Sequence, residues 1–351
     1  MFTTRTLPNL SEIFSDSFLD GHDYMPNSLG KKEVDLLFKH NLFKCFLPKE
    51  WNGLGLSLTE TVELIEQAAF INGSLGWLIQ IGNGGNYFTA YFEEKIAFSY
   101  FSNRDTVIAG SGTPTCQAIS TDGGYIISGK WRFCSGSNYA NWFTITFKTS
   151  DSQTVLSAMV PRESVTIEED WDTLGLRQTA TNTIAVNQLF VPMDAVFSLS
   201  NQRFSFDNLI WNMPFVLFAQ AFFMPVVIGI FKRMLAETRI LLKEQTHKTW
   251  STDNYKKLNL WVEEGNLLIE KTNVELGEML EKCTNTGDEF TDCTTSAYQL
   301  SFLHANENIR NLAHKLFAKL GMEVLFVQHP IARCYMDLMM ASQHKLLQES
   351  T

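Results

Sequence analysis

The sequence is poor in the features that usually announce a function. It has no run of Lys or Arg, and 28 basic against 38 acidic residues leave a net charge of −10. Nucleic acid and anionic membrane surfaces are therefore poor partners for it. Cys45, Cys116, Cys134, Cys283, Cys293 and Cys334 stand at no CxxC or metal-ligand spacing. Reduced thiols, no metal and a cytoplasmic location are the expectation, and the N-terminus shows no signal-peptide apolar stretch. P-loop, dinucleotide-binding and Ser/His/Asp nucleophile patterns are missing. GNGG at 82–85 follows no strand and reads as a helix break or turn. Repeats and low-complexity segments are missing too.

The 351 residues are 45% hydrophobic, enough for a large core in two or three domains. One long apolar run, Pro214 to Phe231, approaches membrane-spanning length. It holds Gln220, two prolines and a glycine, and Lys232-Arg233 follow at once. A helix buried on all sides fits it better.

Residues 1–103 read as an N-terminal helical domain. Ser57 and Glu60 form a capping-box signature after a loop punctuated by Pro48, Gly53 and Gly55, with Val62, Ile65 and Ala69 facing inward. Residues 104–200 read as a middle β domain, with strands over 143–150, 154–160 and 182–192. Residues 201–351 read as a C-terminal helical bundle, with helices over about 254–283 and 296–320 joined by the polar loop TNTGDEFTD. The fold class is α+β, mainly α.

The chemistry concentrates in GGYIISGKWRFCSGSNYANW, residues 123–142. It reads as Gly turns between short strands, a hairpin or meander carrying Phe133, Ser135 and Trp142 at one edge. Flat aromatic surface, a small hydroxyl and an approachable backbone suit a planar ring with polar edges; an ordinary exposed hairpin fits the pattern equally.

G-x-W-x-F-x-S-G followed by A-x-W resembles the flavin-contacting segment of the acyl-CoA dehydrogenase superfamily, specifically its two-component monooxygenase branch. The run Trp171, Gly175, Arg177, Thr179, Thr181 and Val191-Pro192 resembles a second superfamily pattern at the end of its β domain. The loop P-K-E-W-N-G-L-G and the later N-G-S-L-G-W, ending at Trp77, are similar to a third. The resemblance covers nearly the whole chain. It implies a β-barrel or sandwich between an N-terminal helical domain and a C-terminal four-helix bundle. It also implies FAD or FMN, with Ser111, Thr113, Phe133, Ser135, Trp142, Arg177, Thr179 and Thr181 as flavin contacts.

Two departures bear on the reaction. Counting from Asp337, which stands for the Asp of the family's R-D pair, the position of the dehydrogenases' carboxylate base falls on Lys345. The monooxygenases' histidine after Trp77 is replaced by Asn83 and Asn86, which can hydrogen-bond but not transfer a proton. His329 and His344 fit the monooxygenase branch as proton donors; capping or surface roles fit them as well. His304 and His314 read as structural. The expected function is a flavin-dependent oxidoreductase, an oxygenase component fed with reduced flavin by a separate reductase and acting on a small aromatic or apolar substrate. Acyl-CoA dehydrogenation is the second reading and a non-catalytic binding module the third. The resemblance also implies a homo-oligomer, dimer or tetramer.

Overall fold

The capping box forms as written. Ser57 Oγ accepts from Glu60 N at 3.1 Å and the Glu60 carboxylate accepts from Ser57 N at 2.7 Å, so two otherwise orphaned amides are satisfied where a helix begins. The computed structural model describes residues 7–15, 26–204, 209–244, 251–284 and 290–348. Residues 285–289 of the expected polar loop lie outside them.

Helices come first: α1 (Leu10–Ile13), α2 (Lys31–Lys39), α3 (Leu58–Ile71), α4 (Gly73–Gly85) and α5 (Glu94–Phe101). Strands follow: β1 (Ile108–Ser111), β2 (Gln117–Thr121), β3 (Gly124–Cys134), β4 (Trp142–Thr149), β5 (Val155–Pro161), β6 (Thr166–Glu168), β7 (Asn182–Pro192) and β8 (Val196–Phe197). The chain closes with α6 (Phe215–Glu244), α7 (Thr252–Thr284), α8 (Asp292–Phe317) and α9 (Pro330–Ala341). The architecture is mixed α and β, with a β-sheet and a C-terminal helical region.

The sheet runs in the order β6-β7-β3-β2-β4-β5-β8, with β1 parallel to β4. The expected turn at Gly129 is absent. β3 is one strand, and Gly129 sits at a register shift in its pairing with β7, because a Cβ there would press on Cys116 at 2.9 Å. A second shift lies between Trp131 and Cys134, after which Cys134 still pairs with Asn182 of β7. Trp131 itself is fully buried and donates Nε1–H to Thr146 O at 2.8 Å.

Two apolar cores result. One lies among the strands around Trp131, Phe143 and Phe147. The other joins the N- and C-terminal helices, with α6 at its centre. α6 is long and apolar enough to cross a membrane, but 83% of its most apolar window is buried inside the protein. Gly229 permits this packing: a Cβ there would lie 2.4 Å from Glu66 O on α3. A buried cation ties down the N-terminal loops. The Lys44 ammonium donates to Trp51 O (3.1 Å), Phe101 O (2.5 Å) and Asn103 O (2.7 Å), while burial lowers its pKa to about 8.

Candidate active site

The turn after β3 and the loop before β7 are the two segments singled out by motif, and they bond to each other. Gly136 N donates to Thr179 O at 2.8 Å and Ser137 N to Ala180 O at 3.2 Å. Both segments bend through the left-handed region at residues with side chains: Phe133 (φ 65°), Leu176 (φ 49°) and Ala180 (φ 44°). Such backbone costs energy and is held by its surroundings. Here Asp337, buried on α9, accepts Leu176 N–H at 2.6 Å. Gly175 lies so close to α9 that a Cβ would fall 2.1 Å from Met336 O.

This clamp lines up hydroxyls. Ser135 Oγ accepts Trp77 Nε1–H at 2.9 Å and the Thr181 hydroxyl at 2.8 Å. The Thr179 and Thr181 hydroxyls are 2.7 Å apart, and Thr179 donates to Leu176 O at 2.8 Å. All three are buried. Trp77 and Thr181 thus hold the Ser135 hydroxyl from two sides.

Trp77 links the ladder to the C-terminus. Its ring meets Phe223 of α6 at 5.2 Å and His344 at 5.9 Å, and His344 stacks on Phe223 at 4.0 Å. His344 Nδ1 accepts Leu346 N–H at 3.3 Å, which puts the ring proton on Nε2. Burial, with the Lys345 ammonium adding to it, pushes the imidazole down to about 4. At neutral pH His344 is an uncharged Nε2–H hydrogen-bond donor, not a reservoir of a spare proton. Lys345 donates to Thr113 Oγ1 at 2.9 Å, tying this end to the loop after β1.

The remaining residues fall around this cluster unevenly. Ser111 ends β1 and is half-buried. Phe133 projects, 60% exposed, with the Arg132 guanidinium 4.7 Å from its ring centroid. Trp142 packs edge-on against Tyr100 of α5 at 4.8 Å, away from the ladder's bonds. Arg177 donates to Thr173 O of its own loop (2.5 Å) and to Asn27 Oδ1 of the N-terminal segment (3.1 Å). His329 caps α9, its Nδ1 accepting Ile331 N–H at 3.2 Å. The twelve residues of α9 set it about 18 Å from His344, so the two histidines do not share a site.

Asn83 is fully occupied by structure: its side chain bonds Leu42 O, Ile79 O and Cys45 N. Asn86 donates to Phe43 O and Gly82 O. GNGG is the last turn of α4, passing without a break into a 3₁₀ turn at Asn86–Tyr91. His314 shares a hydrogen bond with Tyr335 at 3.0 Å. Sequence reasoning placed Trp77 in a motif without a role, and it saw Asp337 only as half of a pair. Their partners lie 58 and 161 residues away in the chain.

The donor set fits a flavin. Three linked hydroxyls and an exposed aromatic face stand beside a left-handed backbone. Open grooves beside α7 and between α1 and α2 lie elsewhere, and their mixed linings offer no such set. No family model matches the chain. Indole-3-acetate monooxygenase of Pseudomonas putida is 25% identical over 331 residues, 92% of this chain and 85% of its own length. The pigment production hydroxylase of a Rhodococcus species is 27% identical over 330 residues, 90% and 85% of the two chains. A third relative, the flavin-dependent monooxygenase oxygenase subunit HsaA of Rhodococcus jostii, is 29% identical over 160 residues, 44% of this chain and 42% of its own length; the chain has an acyl-CoA dehydrogenase-like fold.

Among solved structures, 3-HSA hydroxylase from Rhodococcus sp. RHA1 superposes with a TM-score of 0.82 at 19% identity, over 91% of this chain and 87% of that one. XiaF from a Streptomyces species, solved with FADH2 and glycerol, gives 0.80 at 17% identity over 97% and 89%. TdsC from Paenibacillus sp. A11-2, solved with FMN and indole, gives 0.72 at 18% identity over 91% and 87%.

Proposed function

We propose that the chain is the oxygenase component of a two-component flavin-dependent monooxygenase acting on a small aromatic substrate. The observation that carries this is the buried hydroxyl ladder of Ser135, Thr181 and Thr179, anchored by Trp77. When bound, reduced FMN or FAD from a separate reductase supplies the electrons that activate O₂. Ser135 holds a polar edge of the ring, Thr179 and Thr181 fix that hydroxyl, and Phe133 covers a ring face. Thr113 and Ser111 line the loop beside it. Arg177 and Trp142 act on the frame, the first by holding the 171–181 loop and the second by packing β4 on α5.

His344 faces the same place from the C-terminal side and donates Nε2–H to an oxygen of the reacting group. Its low pKa suits this, since a neutral donor stabilises developing negative charge without being titrated at pH 7. Phe223 and Trp77 keep water from it. Dehydrogenation of an acyl thioester needs a carboxylate base, and the matching position holds Lys345, committed to Thr113.

The reading extends to organisation. The sheet is taken as the barrel or sandwich of this fold and α6 to α9 as its four-helix bundle, with domains at 1–103, 104–200 and 201–351 in a cytoplasmic homo-oligomer.

Anaerobic titration with reduced FMN and FAD tests binding. A reductase-coupled assay with ¹⁸O₂ and a panel of indoles and phenols tests chemistry. Tight binding of a reduced flavin and ¹⁸O in a hydroxylated product are expected. A folded protein that binds no flavin, or that consumes O₂ only to release hydrogen peroxide with every substrate, overturns the proposal.

A further inference from the structure

Of the three glycines in GNGG, two have a packing reason and one has none. A Cβ on Gly82 would stand 2.4 Å from the Phe43 ring, and one on Gly85 2.9 Å from Ile108. A Cβ on Gly84 would meet only the Gln80 amide nitrogen, at 3.8 Å, an ordinary contact. Gly84 sits in regular helix and is half-buried, so neither backbone nor crowding asks there for a residue that weakens a helix. What it does is leave space. That space lies on the Trp77 face of α4, because residues 77, 80, 81 and 84 fall on one side of a helix.

Gln80 borders the same space. Its side chain is 3% exposed, and Oε1 is sealed from water with no donor among the described residues. Gln220 repeats the pattern on α6. It too is 3% exposed; its Nε2–H is committed to Leu346 O at 2.8 Å, and its Oε1 has no donor. Each glutamine stands one turn from one of two rings that touch, Trp77 and Phe223, 5.2 Å apart. Further along α4, Tyr87 meets Phe218, further back along α6, at 4.3 Å. The helices therefore pass in opposite directions, and Gln80 and Gln220 come level on one side of the Trp77–Phe223 contact. A dry carbonyl without a donor is unfavourable. Two at one level of a site call for a ligand that brings the donor.

We propose that Gly84 and Gln80 form a subsite for the substrate's own donor, an O–H or N–H on its aromatic ring. Gln80 Oε1 is the acceptor, with Gln220 Oε1 at the same level of α6, and Gln80 is the residue that sets specificity. One helical turn, about 5 Å, separates it from Trp77, a step that a single aromatic ring spans. The donor end of the ring rests at Gln80 and its body beside Trp77 and Phe223. An aromatic of the same shape without a donor leaves the carbonyl unpaired and is rejected. The inference rests on the oxygenase reading for what the site does, but not on a bound flavin for its geometry.

The test is isothermal titration of the full-length protein with two matched pairs, indole against benzofuran and phenol against fluorobenzene. Each is run with and without reduced FMN. Wild type binds the donor-bearing member of at least one pair about tenfold or more tightly than its mate. Gln80→Leu brings that ratio to within about twofold of unity, while its melting temperature stays at or above that of wild type because the amide has no partner to lose. Gly84→Leu fills the space. Both members of the pair then bind about tenfold or more weakly, and the melting temperature does not fall, since a helix glycine has been replaced. A wild type that binds neither pair, or that does not discriminate within either, overturns the inference. So does a Gln80→Leu protein that melts lower and keeps the ratio, the result expected if the amide only holds a buried water. Absence of flavin binding with the ratio intact sinks the oxygenase reading and leaves the subsite standing.

Discussion

His329 and His344 sit at the two ends of α9 and do the same local work. Each turns Nδ1 back to accept an amide proton two residues on, at 3.2 and 3.3 Å, and so starts a helical turn. Their surroundings are unlike. Charges lie around His329: burial lowers its pKa, the carboxylates of Glu323 and Glu237 oppose the shift, and Arg333 adds to it. His344 is pressed between Phe223 and Trp77, with burial the dominant influence. The same residue in the same capping geometry is thus a surface peg in one place and a dry, neutral donor beside a hydroxyl ladder in the other. What separates them is the side chains that long-range packing brings to each ring.

That contrast is breakable. The largest effect is expected from His344→Ala, with hydroxylated product lowered about 100-fold and oxygen diverted to hydrogen peroxide. His329→Ala should stay within about twofold of wild type in the same assay, since a substitution this far from the reacting atoms removes no direct contact. Equal losses in the two variants would erase the distinction.

The ladder is next in size. Ser135→Ala should weaken reduced-flavin binding by about 1–3 kcal/mol, read by anaerobic titration. Trp77→Phe should weaken it less, because the ring stays and only the indole N–H bond to Ser135 is lost. An unchanged affinity in Ser135→Ala would detach the ladder from the cofactor.

Stability against pH separates the histidines by another route. The folded His344 imidazole titrates near 4, below its ordinary 6.5. The unfolded chain therefore binds the proton first, and the stability held by neutral His344 is complete above pH 6.5. It falls away as pH drops from there toward 4, by about 2–3 kcal/mol. Denaturant melts of His344→Phe should flatten that stretch of the curve, keeping the aromatic stack while removing the titration. A curve as steep as wild type would mean that other groups carry it. Smallest, His329→Ala should cost about 1 kcal/mol at pH 7 through the lost cap of α9, with calorimetry as the readout.

Much of the fold was legible because its signals are local. The capping box at Ser57, the strand at 182–192 and the burial of the 214–231 run each follow from residues within one element. The turn expected at Gly129 was misjudged because a glycine inside a strand looks the same in sequence whether it turns the chain or, as here, clears room for Cys116. At the site, the order of Ser135, Thr179 and Thr181 could be read from motif. Their bonding to Trp77 and the clamp of Leu176 by Asp337 could not, since nothing local encodes a partner 58 or 161 residues away.

The sequence by itself determined which residues could form helices and strands, where they begin, and which hydroxyls and imidazoles were available. Only the tertiary structure decided which histidine is dry, which hydroxyls are linked to one another, and which asparagines are spent on backbone. Those outcomes depend on desolvation and on hydrogen-bond partners, and both are set by whatever distant segments pack against a side chain.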